Sequence, residues 1–189
     1  MRKALAFPLT VIFYLAFFTT LIVFHAIQWV CHYGFGYTAH KRSVDILNAT
    51  LIGCLGLLGT RVLFSNPHKL QNSKPHIIVC NHQSLYDIQP LIWYLRNLNP
   101  KFISKKELGR GIPSVSFNLR HGGSLLIDRA KAKNALVAIE DYANTLNRTK
   151  HSAIIFPEGP RPGPARPRPF RLGVLVTLFE NMPDPLVLP

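Results

Sequence analysis

Acidic side chains are scarce in this sequence: 9 Asp and Glu stand against 22 Lys and Arg, a formal net charge of +13. A chain so short of carboxylates is suited to an anionic partner, whether phospholipid headgroups, phosphorylated substrates or nucleic acid. Cysteine is scarce too. The three thiols, Cys31, Cys54 and Cys80, are odd in number and widely spaced. With no C-x-x-C pair and no His grouping at metal-ligand spacing, they argue against a disulfide framework and a zinc module, and no metal is expected. They read as reduced packing residues, including Cys80, a small apolar residue ending a buried strand two positions before His82. No internal repeat is present. The basic and aromatic surface motifs of a nucleic-acid reader are missing, so nucleic acid is not an expected partner.

What the sequence does have is apolar length. Of its 189 residues 48% are hydrophobic, enough for a core, an anchor or both. Ala4 to Val30 is almost continuously apolar and follows Arg2 and Lys3, and its charge-free stretch exceeds the roughly 20 residues that cross a bilayer. A secretory signal has a shorter apolar region and a small-residue cleavage site, neither of which is seen here, so a retained anchor is expected. A second apolar segment, Ile46 to Phe64, follows a polar loop containing Lys41 and Arg42. It sets Ala49, Gly53, Gly56 and Thr60 on one side, where small residues let another helix approach. The two segments form either a hairpin or re-entrant pair, or a single span followed by a buried helix. Residues 1–66 are thus expected to be a membrane-anchoring helical region and residues 67–189 a separate domain.

Beyond Ser65 short β-rich runs alternate with helical ones, the signature of an α/β fold built on a mostly parallel sheet flanked by helices. The spacing predicts strands at His76 to Cys80, Phe102 to Ser104, Ser124 to Ile127, Ala153 to Phe156 and Leu186 to Leu188. Ala132, Ala135, Leu136, Ile139, Ala143 and Leu146 make one stripe of an amphipathic helix over 130–146. Pro157 to Pro169 is too rich in proline for helix or central strand. It reads as a linker or a rigid cationic loop carrying Arg161, Arg166 and Arg168.

The first of these strands runs into Asn81-His82-Gln83-Ser84-Leu85-Tyr86-Asp87, placing an imidazole at the carboxyl edge of a sheet, where ligands of open α/β folds bind. Across a turn, Asp87 can hold one ring nitrogen while the other faces a hydroxyl to be deprotonated. The plainer reading of Asp87 is a helix cap, with Ser84 and Asp87 forming a capping box and Pro90 in the first turn. The spacing leaves both readings open.

The block Asn81-His82-Gln83-Ser84 with Asp87 resembles the NHxxxxD (HX4D) motif of the glycerolipid acyltransferases typified by 1-acylglycerol-3-phosphate acyltransferase. Phe102 to Glu107 with Leu108, Ile112 and Pro113, followed by Gly123 to Arg129, resembles that family's second block. Phe156-Pro157-Glu158-Gly159 with Arg161 resembles FPEGTR, and Phe170-Arg171-Leu172-Gly173 the FKxG that follows it. The likeness covers about residues 70 to 189. It implies that His82 is a general base, oriented by Asp87, which helps the acceptor hydroxyl attack an acyl thioester. Glu158, beside Gly159, would hydrogen-bond the glycerol part of the acceptor, while Arg161, Arg129 and Lys105 would engage its phosphate.

The implied reaction moves a fatty acyl group to the free hydroxyl of 1-acylglycerol 3-phosphate, giving phosphatidic acid in phospholipid biosynthesis. It needs no cofactor beyond acyl-CoA or acyl carrier protein as co-substrate. The expected partners are lysophospholipid, acyl thioester, membrane lipids and, for the carrier-protein donor, that protein. The expected location is the cytoplasmic side of an inner membrane. Two departures bear on this. Pro160 stands where the family has threonine, removing a hydroxyl and an amide donor, and Pro162 where serine is usual. Leu186 to Pro189 looks like the opening of a fourth block, as in a truncated version of a longer enzyme. Both keep alternatives in view: another lysolipid acceptor, or a catalytically impaired, membrane-anchored protein that binds anionic lipid.

Overall fold

The structure is a computed structural model that describes residues 2–65, 70, 74–128, 130–159 and 169–189. The expected domain boundary at 66/67 therefore lies outside the described residues. Five parallel strands form one sheet in the order β3-β2-β4-β1-β5: β1 (His76–Val79), β2 (Pro100–Lys105), β3 (Leu125–Ile127), β4 (Ser152–Ile155) and β5 (Leu186–Leu188). Each strand expected from the sequence is present within about two residues at its ends, as boundary uncertainty allows. The central strands β1 and β4 are apolar on both faces, as a strand covered on both sides requires.

Alternation along those strands divides the core in two. Ile77, Ala153 and Ile155 point to one face, against Ile139, Tyr142, Ala143 and Leu146 of α4 (Ala132–Thr149) and Leu178 of α5 (Leu172–Asn181). Ile78, Phe102 and Ile154 point to the other, against Ile92 of α2 (Ile88–Tyr94), Leu119 of α3 (Val115–His121) and Val44 of the amino-terminal helix. From Ala135 onward the predicted stripe of α4 is thus its core face, except that Leu136 is 41% exposed.

The amino-terminal region corrects the sequence reading. α1 (Arg2–Gly56) is helical throughout except at Gly36, where φ 78° and ψ −169° break it into arms 2–35 and 37–56. The turn is at Gly36, and Lys41 and Arg42, expected in a loop, lie in the second arm. That arm stops at Gly56, so the segment expected to run to Phe64 is helical only in its first part. The arms fold back as a hairpin: Leu21 packs with Leu47 and Leu51, and Phe13 with Cys54 and Leu55. Leucines rather than small residues make this contact, since Gly53 and Gly56 are exposed with open space where a side chain would sit.

The helix is long and apolar enough to cross a membrane, and only 11% of its most apolar window is covered by the rest of the protein, unlike a soluble core helix. Ser114 ties the hairpin to the domain: its hydroxyl donates to the Leu21 carbonyl at 2.7 Å and its amide to His25 Nδ1 at 3.2 Å.

Gly36 occupies a backbone region nearly closed to other residues, and no atom lies within 4 Å of where a methyl group would sit, so a side chain there meets conformational cost alone. Gly36→Ala is expected to cost about 1–3 kcal/mol. At about 2–4 °C per kcal/mol for a chain of this size, thermal unfolding in detergent should show the loss. An unchanged midpoint would mean that the hairpin turns elsewhere.

Candidate active site

Every described residue singled out for chemistry lies at the carboxyl edge of the sheet. β1 ends at Val79 and delivers Cys80, Asn81 and His82; β4 ends at Ile155 and delivers Phe156, Pro157, Glu158 and Gly159. Their register pairs Val79 with Ile155, and continuing it sets His82 level with Glu158. β2 ends at Lys105, paired with Ile127 of β3, so Asp128 leaves the sheet beside Lys105. Lys105 is exposed at that edge. Arg129, Arg161, Pro160 and Pro162 lie outside the described residues, as do Arg166 and Arg168. The Arg171 amide donates to the Pro157 carbonyl at 2.8 Å.

One oxygen of Asp87 makes both the cap contacts and the contact with the His82 ring. Oδ2 accepts from the backbone amides of Gln83 and Ser84, each at 2.8 Å, while the Ser84 hydroxyl accepts from the Tyr86 amide at 3.1 Å, completing a capping box. The same Oδ2 lies 3.1 Å from His82 Nδ1. A carboxylate oxygen only accepts, so Nδ1 carries the ring proton and Nε2 of the neutral ring keeps a lone pair. No described residue hydrogen-bonds Nε2. The turn that starts the helix therefore fixes the carboxylate, and the carboxylate fixes the tautomer of the base.

Two further contacts were missed from the sequence. The Phe156 ring stacks on the His82 imidazole, centroids 4.2 Å apart and planes 22° apart, fixing the ring from its flat side. The Gln83 amide donates to both oxygens of Glu158, at 3.4 and 3.5 Å, joining the His82 turn to the β4 loop. The signal for both was position, since each residue sits inside a motif block next to a residue already selected. Glu158 is 1% exposed, unusual for a carboxylate and consistent with a built site. Cys80 is no rival nucleophile: burial first, then the Asp87 charge, pushes its thiol up to about 11, leaving it protonated at neutral pH.

An imidazole held through Nδ1 by a carboxylate, with Nε2 open at the edge of a parallel sheet where ligands bind, is an arrangement chemically able to activate a hydroxyl or water as a general base. Comparison with known proteins narrows it. The sequence model of the Acyltransferase family matches residues 61–189, and the chain belongs to that family. It is 30% identical over 115 residues to human 1-acyl-sn-glycerol-3-phosphate acyltransferase beta, covering 61% of this chain and 41% of that protein. It is 28% identical over 132 residues to the human alpha form, covering 70% and 46%. A coconut 1-acyl-sn-glycerol-3-phosphate acyltransferase is 31% identical over 135 residues, covering 67% and 42%. The chain thus spans less than half the length of these relatives. The crystal structure of the 1-acyl-sn-glycerophosphate (LPA) acyltransferase PlsC from Thermotoga maritima shares the fold, with TM-score 0.74 at 21% identity, covering 96% of this chain and 72% of that one.

Proposed function

We propose that this protein transfers a fatty acyl group from an acyl thioester to the free hydroxyl of 1-acylglycerol 3-phosphate, forming phosphatidic acid. The observation that carries the reading is the His82–Asp87 pair with its fixed tautomer. Nε2 takes the proton of the acceptor hydroxyl as its oxygen attacks the thioester carbonyl, and Asp87 stabilises the imidazolium that forms. When the tetrahedral intermediate collapses, the C–S bond breaks and the imidazolium returns its proton to the departing thiolate. The acyl ester and a free thiol are the products. The relatives' names support this choice of acceptor.

Lys105, at the edge beside the end of β3, with Arg129 and Arg161, would supply the charge for the acceptor phosphate. Glu158, with Gly159 beside it, would take the glycerol backbone. The acyl thioester is acyl-CoA or acyl carrier protein. Residues 1–66 would anchor the 67–189 domain at the membrane, with the site at the cytoplasmic face of an inner membrane where lysolipid, membrane lipid and soluble donor meet.

The test is a panel: purified full-length chain, labelled acyl-CoA, and lysolipids bearing a phosphate monoester, phosphocholine, phosphoethanolamine or no phosphate. Labelled phosphatidic acid as the main product is expected. Turnover confined to another headgroup would overturn the acceptor, and a folded protein with no turnover on any of them, in the presence of either acyl-CoA or acyl carrier protein, would overturn the activity.

In the same assay Glu158→Gln keeps the shape and weakens a charge-assisted hydrogen bond, worth about 1.5–3 kcal/mol. It is expected to lower kcat/KM for the acceptor about tenfold to a hundredfold, with KM for the donor unchanged. A loss confined to the donor would move Glu158 out of the acceptor's site.

A further inference from the structure

At the opposite, amino end of the sheet, the hairpin turn meets residues 96–99 and leaves a second cleft of about 460 Å³. Its walls include Lys41, Arg42, Arg96, Asn97 and Asn99, with Asp45 as the only acid. A separate, smaller cavity of about 20 Å³, which shares Tyr37, Lys41 and Asp45 with the cleft, is lined also by Lys101. From Ser152, level with Pro100, to Glu158 at the catalytic edge is about 20 Å at roughly 3.3 Å per residue, so this cleft is separate from the site of His82.

The charges here do not balance. Asp45 is taken by Lys41 at 2.6 Å, and Lys41 also donates to the Arg96 carbonyl at 2.8 Å. Arg96 stacks over Trp93 at 4.2 Å and donates through one terminal nitrogen to the Trp93 carbonyl, which fixes its plane and leaves its other N–H groups for a ligand. Lys101 is 6% exposed and its ammonium makes no hydrogen bond or ion pair among the described residues; it lies 5.3 Å from the Tyr37 ring centre. Burial first, then Lys41, pulls its pKa down to about 8. Three cations, Lys41, Arg42 and Arg96, thus line the cleft against one carboxylate, and the buried Lys101 of the neighbouring cavity draws on that same Asp45. A bound anion would offset this excess of positive charge, and two guanidinium groups with amide donors from Asn97 and Asn99 suit tetrahedral oxygens.

We propose that this cleft binds a phosphate-class anion, independently of acyl transfer. The same chemistry is offered by a soluble phosphate and by the phosphodiester of an anionic phospholipid. Tyr33 and Phe35, 59% and 75% exposed beside the turn, give the lipid source an apolar surface to lie against.

Trp29 and Trp93 are the two tryptophans of the chain, so a Trp29→Phe protein reports on Trp93, against Arg96, by fluorescence. The full chain is placed in phosphatidylcholine nanodiscs and titrated with inorganic phosphate, and in a second arm is placed in nanodiscs of equal parts phosphatidylcholine and phosphatidylglycerol. A saturable emission change is expected in at least one arm. A change with phosphate identifies a soluble ligand, and one confined to the second arm identifies a lipid headgroup. Arg42→Ala and Asn97→Asp alter exposed side chains of the cleft and leave the core intact. Each is expected to weaken the response about tenfold, the scale of one lost charge-assisted contact, while His82→Ala leaves it unchanged. No change in either arm, a change that both cleft variants retain, or one that His82→Ala abolishes would overturn the proposal.

Discussion

His82→Ala is expected to lower kcat for acyl transfer by about 10²- to 10⁴-fold, the usual contribution of a positioned general base. KM for lysolipid and thioester should move little, because the imidazole acts on the proton in flight rather than on the bound ground state. The substitution also removes the ring stacked on Phe156, so circular dichroism and detergent-solution melting are needed beside the rates. A folded His82→Ala protein with unchanged kcat would remove the mechanism. Residual activity near the lower bound is compatible with it, since positioning and oxyanion donors remain.

Asp87→Asn is expected to cost nearly as much for a different reason. The amide keeps an oxygen for the Gln83 and Ser84 backbone donors, so the capping box can persist. Because that same position also faces His82 Nδ1, the amide oxygen that caps the turn still accepts from the ring, but it carries no charge with which to stabilise the imidazolium. A fall in kcat of up to about 10⁴-fold with little loss of stability is expected, the scale of an Asp-to-Asn change in a Ser-His-Asp triad. If Asp87 were only a cap, Asp87→Asn would leave both the melting point and the rate nearly normal, because Asn caps as well as Asp.

The parallel sheet was legible in the sequence because its central strands are buried on both faces. HIIVC and AIIF are continuous apolar runs between turn residues, which leave few alternatives. The His82–Asp87 pair was legible as a spacing, but its two readings could not be ranked, since a cap and an orienting carboxylate need the same residue at the same place. The structure shows why no ranking was needed: one oxygen serves both. The hairpin was misread at its turn. Lys41 and Arg42 suggested a loop, whereas their polarity answers the cleft they line with Asp45 and Arg96, and the chain reverses earlier at Gly36. The small residues of the second arm suggested a packing face that Leu47 and Leu51 provide instead. Gln83 and Phe156 went unread because pairing across β1 and β4 is a property of the sheet, invisible along either segment.

The state of one ring is the most direct test of this account. With ¹⁵N-labelled histidine in the detergent-solubilised chain, the His82 signals can be assigned among the eight histidines by their loss in His82→Gln. The neutral ring is expected to show a protonated Nδ1 and a bare Nε2. A wild-type ring protonated at Nε2 would contradict the proposal, because a nitrogen already holding its proton cannot accept one from a lipid hydroxyl.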